Sequence, residues 1–87
     1  MKYKIFIKKS AKFELTKLDK KIQIKIASII DSLKDNPLPN KCKKLKGKEN
    51  IYRIRYRNLR ILYSIKKQEL IIEIIKIGKR NYIYKNL

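Results

Sequence analysis

Histidine is absent from this 87-residue chain, and cysteine occurs once, at Cys42. A lone cysteine forms no intrachain disulfide and suits a reducing compartment. With no histidine, one cysteine and scattered acids, a zinc site is excluded. Ser-His-Asp and Cys-His triads fall with it. No metal and no other cofactor is therefore expected. Tryptophan is missing, and glycine and proline number two each. No apolar run approaches the roughly 20 residues that span a bilayer. The opening Met-Lys-Tyr-Lys-Ile-Phe-Ile-Lys alternates in polarity and offers no h-region for a signal peptide. A soluble, cytoplasmic protein with no membrane partner is the expectation.

Acidic residues are the other scarcity. Seven Asp+Glu stand against 25 Lys+Arg, a net charge of +18. Such an excess repels itself in the compact state and is tolerated where a polyanion waits outside. AT-rich codons would also inflate lysine and isoleucine without any partner. The hydrophobic fraction of 44% suffices for one core. A chain this short buries only about 60% of its unfolded surface, so residues 1–87 are expected to form a single domain.

The patterning is clear at the N-terminal end. Residues 2–8 set Tyr3, Ile5 and Ile7 against lysines and Phe6, which reads as a strand. Ser10 is a plausible N-cap for a short helix carrying Ala11, Leu15 and Leu18 on one face. Asp19 caps a second helix, where Ile22, Ile26, Ile29, Ile30 and Leu33 follow helical spacing and Ile24 falls off the stripe. Pro37 ends that helix, because it disfavours helical backbone at the residue before it. Residues 41–48 are a lysine-dense loop or short strand. Beyond them, 51–57 and 59–65 alternate and 70–77 is rich in isoleucine, with turns at Arg57-Asn58 and 66–69. Gly78 is expected to stop the last strand. The order β-α-α-β-β-β is α+β, with an N-terminal helical hairpin on one face of an antiparallel sheet.

The arginines carry the most information. Lysine supplies generic charge, but arginine's planar fork matches two phosphate oxygens and is not replaceable at a bidentate site. All five arginines, Arg53, Arg55, Arg57, Arg60 and Arg80, lie beyond residue 52. A two-residue turn at Arg57-Asn58 sets Tyr56 opposite Leu59, Ile54 opposite Ile61 and Tyr52 opposite Tyr63, an apolar face for the helices. The other face then places Arg55 across from Arg60 and Arg53 opposite Leu62. Like charges facing across a ladder are destabilising, and an anion between them removes that cost. A solvated face with the arginines splayed apart is the competing reading. Carried onward, the register puts Ile71, Glu73, Ile75 and Ile77 on the arginine face, to be covered by a partner or by the C-terminal tail.

Tyr52-Arg53-Ile54-Arg55, Leu59-Arg60-Ile61-Leu62-Tyr63, and Ile77-Gly78-Lys79-Arg80 followed by Tyr84 resemble the RelE branch of the RelE/ParE superfamily. Leu45-Lys46-Gly47 and the helical hairpin extend the likeness over essentially the whole chain. The resemblance implies a RelE-like fold and a toxin of a type II toxin–antitoxin system. It further implies an endoribonuclease that cuts mRNA in the ribosomal A site, with an acidic RelB-like antitoxin as partner. By position it assigns catalysis to Arg55, Arg60, Arg80 and Tyr84, and RNA binding to Arg53, Lys46 and Lys79; the turn arginine Arg57 is expected to bind RNA beside them. The chain departs from the family pattern in having Arg53 and Arg55 where relatives often carry lysine, and Lys79 where many carry histidine. Arginine does not give up its proton. A general base then falls to Tyr84, Lys46, Lys79 or ribosomal RNA. Tyr82 reads better as a packing aromatic. A ParE-type gyrase poison and a non-catalytic nucleic-acid-binding module remain the alternatives.

Overall fold

The computed structural model describes residues 2–79. Strand β1 (Lys4–Ile7) leads into helices α1 (Lys9–Thr16) and α2 (Lys20–Ser32). Strands β2 (Lys43–Lys44), β3 (Ile51–Tyr56), β4 (Leu59–Lys66) and β5 (Ile71–Lys79) follow. They form one five-stranded sheet in the order β1-β5-β4-β3-β2. The class is the α+β expected. The sheet is mixed, however, because β1 pairs with β5 in parallel while the other pairs are antiparallel. The helical hairpin returns the chain to its start, where Tyr3 N–H donates to Lys34 O at 3.0 Å. The strands β2 to β5 then step back across the sheet until β5 reaches β1.

Ser10 is not the cap of α1. The strand runs straight into the helix: Lys8 sits at the N-cap, its N–H bonded to Ile74 O at 3.0 Å and its carbonyl accepting from Lys12 N–H at 2.9 Å. That junction leaves no linker for Ser10 to end. Asp19 does occupy the N-cap of α2, though its side chain makes no capping bond. Pro37 follows the helix end, and its carbonyl is held by the Tyr63 hydroxyl at 2.8 Å.

The core lies between the helices and one sheet face. Ala11, Ile26, Ile30 and Leu33 from the helices meet Ile54, Ile61, Tyr63, Ile65, Ile72, Ile74 and Ile77 from the strands. Full burial of each such isoleucine contributes about 1.5–3 kcal/mol. Ile22, Ile29, Leu15 and Leu18 pack around this centre, while Ile24 is 66% exposed. Tyr52 stacks on Tyr63 with ring centroids 5.9 Å apart. No helix among the described residues is long and apolar enough to cross a membrane.

Strand β5 departs from expectation in two ways. It continues through Gly78 to Lys79, because β4 still offers partners there: Gly78 pairs with Arg60 and Lys79 with Leu59. The β4–β5 register also shifts between Leu62 and Tyr63, so that Leu62 pairs with Lys76 but Tyr63 with Ile74. A bulge of this kind exchanges the two faces of everything beyond it. Ile77, expected on the arginine face, therefore pairs with Ile61 and is 1% exposed in the core. Ile75 is the extra residue, half-buried and unpaired in the β4–β5 ladder. Ile71 and Glu73 keep the face expected of them, paired with Lys66 and Ser64.

Candidate nucleic-acid interface

The β3–β4 hairpin organises the basic face. Tyr56 pairs with Leu59 around a two-residue turn, so the register is fixed at Ile54–Ile61, Arg55–Arg60 and Arg53–Leu62. The alternation of strand side chains sends Tyr52, Ile54 and Tyr56 toward the helices and Arg53 and Arg55 away from them. Extended across the neighbouring strands, the pairings define two cross-strand rows on the outer face. One row reads Arg55, Arg60, Gly78. The next reads Lys43, Arg53, Leu62, Lys76.

Opposed residues in such a ladder have Cβ atoms about 4.5–5.5 Å apart. Arg55 is exposed, Arg53 is half-buried, and Arg60 is 8% exposed. One Nη of Arg60 donates to Leu59 O at 3.3 Å, while its Nε is buried with no hydrogen-bond partner among the described residues. A buried unsatisfied donor of a charged group is costly, by about 1–3 kcal/mol. The ion pairs Lys2–Asp35, Lys17–Glu14 and Lys34–Asp31 all lie away from this hairpin. The face thus offers densely set cations and a buried donor, with Glu73 one row further along as its acid.

Lys43 and Lys76 were not among the expected site residues. Lys43 joins through a two-residue strand too short to show a period. Lys76 joins because the bulge turns it outward. The remaining expected residues scatter. Arg57 sits in the turn with φ 55°, its guanidinium 5.6 Å from the Tyr56 ring centroid. Lys46 is exposed in the loop after β2. Lys79 pairs with Leu59, on the side of the sheet facing the helices. Arg80, Tyr82 and Tyr84 lie outside the described residues, as does the expected covering by the C-terminal tail.

Beneath the face, Tyr63 is buried, and that desolvation, followed by its contact with Cys42, pushes the phenol above its ordinary range. It stays neutral and serves as a structural donor.

Comparison with known proteins identifies the family and its fold. A family model described as ParE toxin of type II toxin-antitoxin system, parDE, matches residues 5–84. A Methanocaldococcus jannaschii protein named as a candidate toxin RelE1 is 35% identical over 89 residues, spanning 99% of both chains. The archaeal RelE–RelB complex from Pyrococcus horikoshii OT3 contains a chain of similar structure, with TM-score 0.83, 28% identity, and coverage of 94% of this chain and 99% of that one. The RelB–RelE complex from Methanococcus jannaschii gives TM-score 0.75 and 27% identity, with 91% and 94% covered. With a family model spanning nearly its whole length and a full-length relative sharing a third of its residues, the chain belongs to the RelE/ParE superfamily of toxins from type II toxin–antitoxin systems.

Proposed function

We propose that this toxin is a ribosome-dependent endoribonuclease that cleaves mRNA in the A site and stops translation. The observation that carries the proposal is the convergence of Arg55 and Arg60 in one row, flanked by Lys43, Arg53 and Lys76 in the next. In the reaction the 2′-oxygen attacks the adjacent phosphorus, the bond from phosphorus to the 5′-oxygen breaks, and a 2′,3′-cyclic phosphate and a 5′-hydroxyl result. Negative charge gathers on the non-bridging oxygens of the pentacovalent intermediate. Preorganised cations stabilise that charge best where water is excluded. The buried Nε of Arg60 has no partner among the described residues, and such an oxygen would satisfy it. Arg55 and Arg80 complete the clamp, with Arg53, Lys43 and Lys76 steering the strand. Arg57, Lys46 and Lys79 supply outlying phosphate contacts.

Proton transfer is assigned elsewhere, since arginine remains protonated. Tyr84 or ribosomal RNA accepts the 2′-hydroxyl proton, and a proton is returned to the 5′-oxygen, since Lys79 sits on the helix-facing side of the sheet and Lys46 in the loop after β2. An acidic, partly helical antitoxin is the proposed protein partner. Its carboxylates would pair with the arginine face and block it, in keeping with relatives solved bound to RelB.

The matching family model is that of ParE toxins, which favours a second reading as a gyrase poison on the same fold. Induction in cells followed by mapping of mRNA 5′ ends separates the two. Codon-aligned cuts on translated messages support the nuclease. Supercoiling-dependent DNA breaks with intact mRNA would overturn it. A parent chain that neither arrests growth nor cuts on ribosomes leaves a non-catalytic binding module.

A further inference from the structure

At the open end of β3, a pocket of about 240 Å³ lies between the sheet, α2 and the loop that follows it. Ile54 forms part of its floor, with Ile29, Pro39 and Tyr56 as apolar walls, Lys25 and Lys41 as the cations around it, and Arg55 at its edge. No acid lines it. Pockets for complete small molecules run from about 300 Å³ upward, so this one holds a single ring system.

The backbone beside it is unfinished. Strand β2 covers β3 only at Tyr52 and Arg53. In an antiparallel ladder, successive residues turn their N–H and C=O alternately to one neighbour and the other. Tyr56 and Leu59 close the two-residue turn and bond each other, so the N–H and C=O of Arg55 point away from β4 to an edge beyond the reach of β2.

We infer that this pocket receives an unpaired nucleobase of the RNA strand bound on the arginine face, with Lys25 and Lys41 holding an adjoining phosphate. The inference rests on the nuclease reading and names a subsite of it. Arg55 links the two places: its side chain belongs to the outer row, and it also lines the pocket. An RNA strand crossing that row reaches the β3 edge with its next base free to turn under it. Aromatic and aliphatic walls accept any base by stacking and packing. The paired donor and acceptor of Arg55's backbone then favour a base whose edge offers the complementary pair.

The test uses the full chain with isoleucine methyl groups labelled for NMR. Uridine, cytidine, adenosine and guanosine 5′-monophosphates are titrated separately, with ribose 5-phosphate and inorganic phosphate as controls. The expected result is saturable shifts at Ile29 and Ile54 with at least one nucleotide, at least fivefold tighter than with ribose 5-phosphate. A Lys25→Glu, Lys41→Glu variant should weaken that binding tenfold or more. Ser32, at the end of α2, is exposed and also lines the pocket, so Ser32→Phe fills it and should abolish binding with the melting temperature preserved. On ribosomes, the Ser32→Phe chain should still cut but lose its preference for the base beside the cut.

Shifts equal for ribose 5-phosphate and nucleotides, or unchanged base preference in a folded Ser32→Phe chain that still cuts, overturn the subsite and leave the nuclease standing. Base-selective shifts in a chain that cuts no RNA leave the pocket standing and remove the nuclease.

Discussion

The hydroxyl of Tyr63, in the middle of the sheet, donates a 2.8 Å hydrogen bond to the carbonyl of Pro37, 26 residues earlier in the chain. This one bond ties the loop after α2 to the centre of β4. It thereby sets where Pro39 and Lys41 stand at the pocket. Tyr63→Phe removes the donor and leaves the ring, so a loss of about 1–2 kcal/mol is expected. For a domain of this size that lowers the melting temperature by about 4–8 °C per kcal/mol, read by calorimetry.

The same residue makes an alkaline prediction. Burial raises the Tyr63 phenol above its ordinary value of 10.0, so the folded state favours the neutral form. The associated stability is complete below that value and falls as pH rises beyond it, because the unfolded chain releases the proton first. Denaturant titrations of parent and Tyr63→Phe between pH 8 and 11.5 should converge at the alkaline end. Parallel curves would show that Tyr63 ionises alike in both states.

Arg60 faces Arg55 and keeps a buried Nε without a partner among the described residues. Both features cost stability in the free protein. Arg60→Ala should therefore abolish growth arrest while leaving the melting temperature unchanged or higher. A residue present for packing would lose stability and function together. Unimpaired toxicity in Arg60→Ala would remove this arginine from the reaction.

How much of this was legible follows from where the chain repeats with period two. The Arg55–Arg60 pairing could be read because a single two-residue turn separates strands whose polar and apolar residues alternate. Helix α2 was equally plain, down to the exposed Ile24, since its isoleucines follow one stripe. The β4–β5 register was hidden because β5 has isoleucine at positions 71, 72, 74, 75 and 77, apolar on both faces, so no alternation marks the bulge. That is why Ile77 was placed on the wrong side and Lys76 was missed. The parallel β1 edge was hidden too, as nothing within a four-residue strand encodes a partner far along the chain. Ser10 misled because its type suits an N-cap, while the hydrogen bond from Lys8 to β5 started the helix earlier.

The turn residue Arg57 carries a left-handed φ of 55°. For a residue with a Cβ that conformation costs about 1–2 kcal/mol, and glycine adopts it freely. Arg57→Gly should stabilise the chain by about 1 kcal/mol, offset in part by the lost stacking on Tyr56. Chemical denaturation measures this. Retained toxicity in the stabilised variant would show that the Arg57 charge is dispensable for RNA. Weakened toxicity would show that strain is kept at the turn for the sake of the guanidinium.

The bulge gives adjacent residues opposite fates, and that contrast is testable. Ile77 lies in the core at 1% exposure, so Ile77→Ala should cost about 2–5 kcal/mol. Lys76 lies in the row of Lys43 and Arg53, so Lys76→Ala should act chiefly on RNA. Each phosphate contact on a single strand contributes about 0.7 to the slope of log K against log salt. Lys43→Ala and Lys76→Ala should each lower that slope by about this amount in equilibrium binding to single-stranded RNA, and the double variant by about twice as much. Without the bulge the pattern would reverse, Lys76 becoming the destabilising position and Ile77 the silent one. A salt slope unchanged in both lysine variants would mean that the second row does not reach the RNA, leaving Arg55 and Arg60 to hold the phosphate without it.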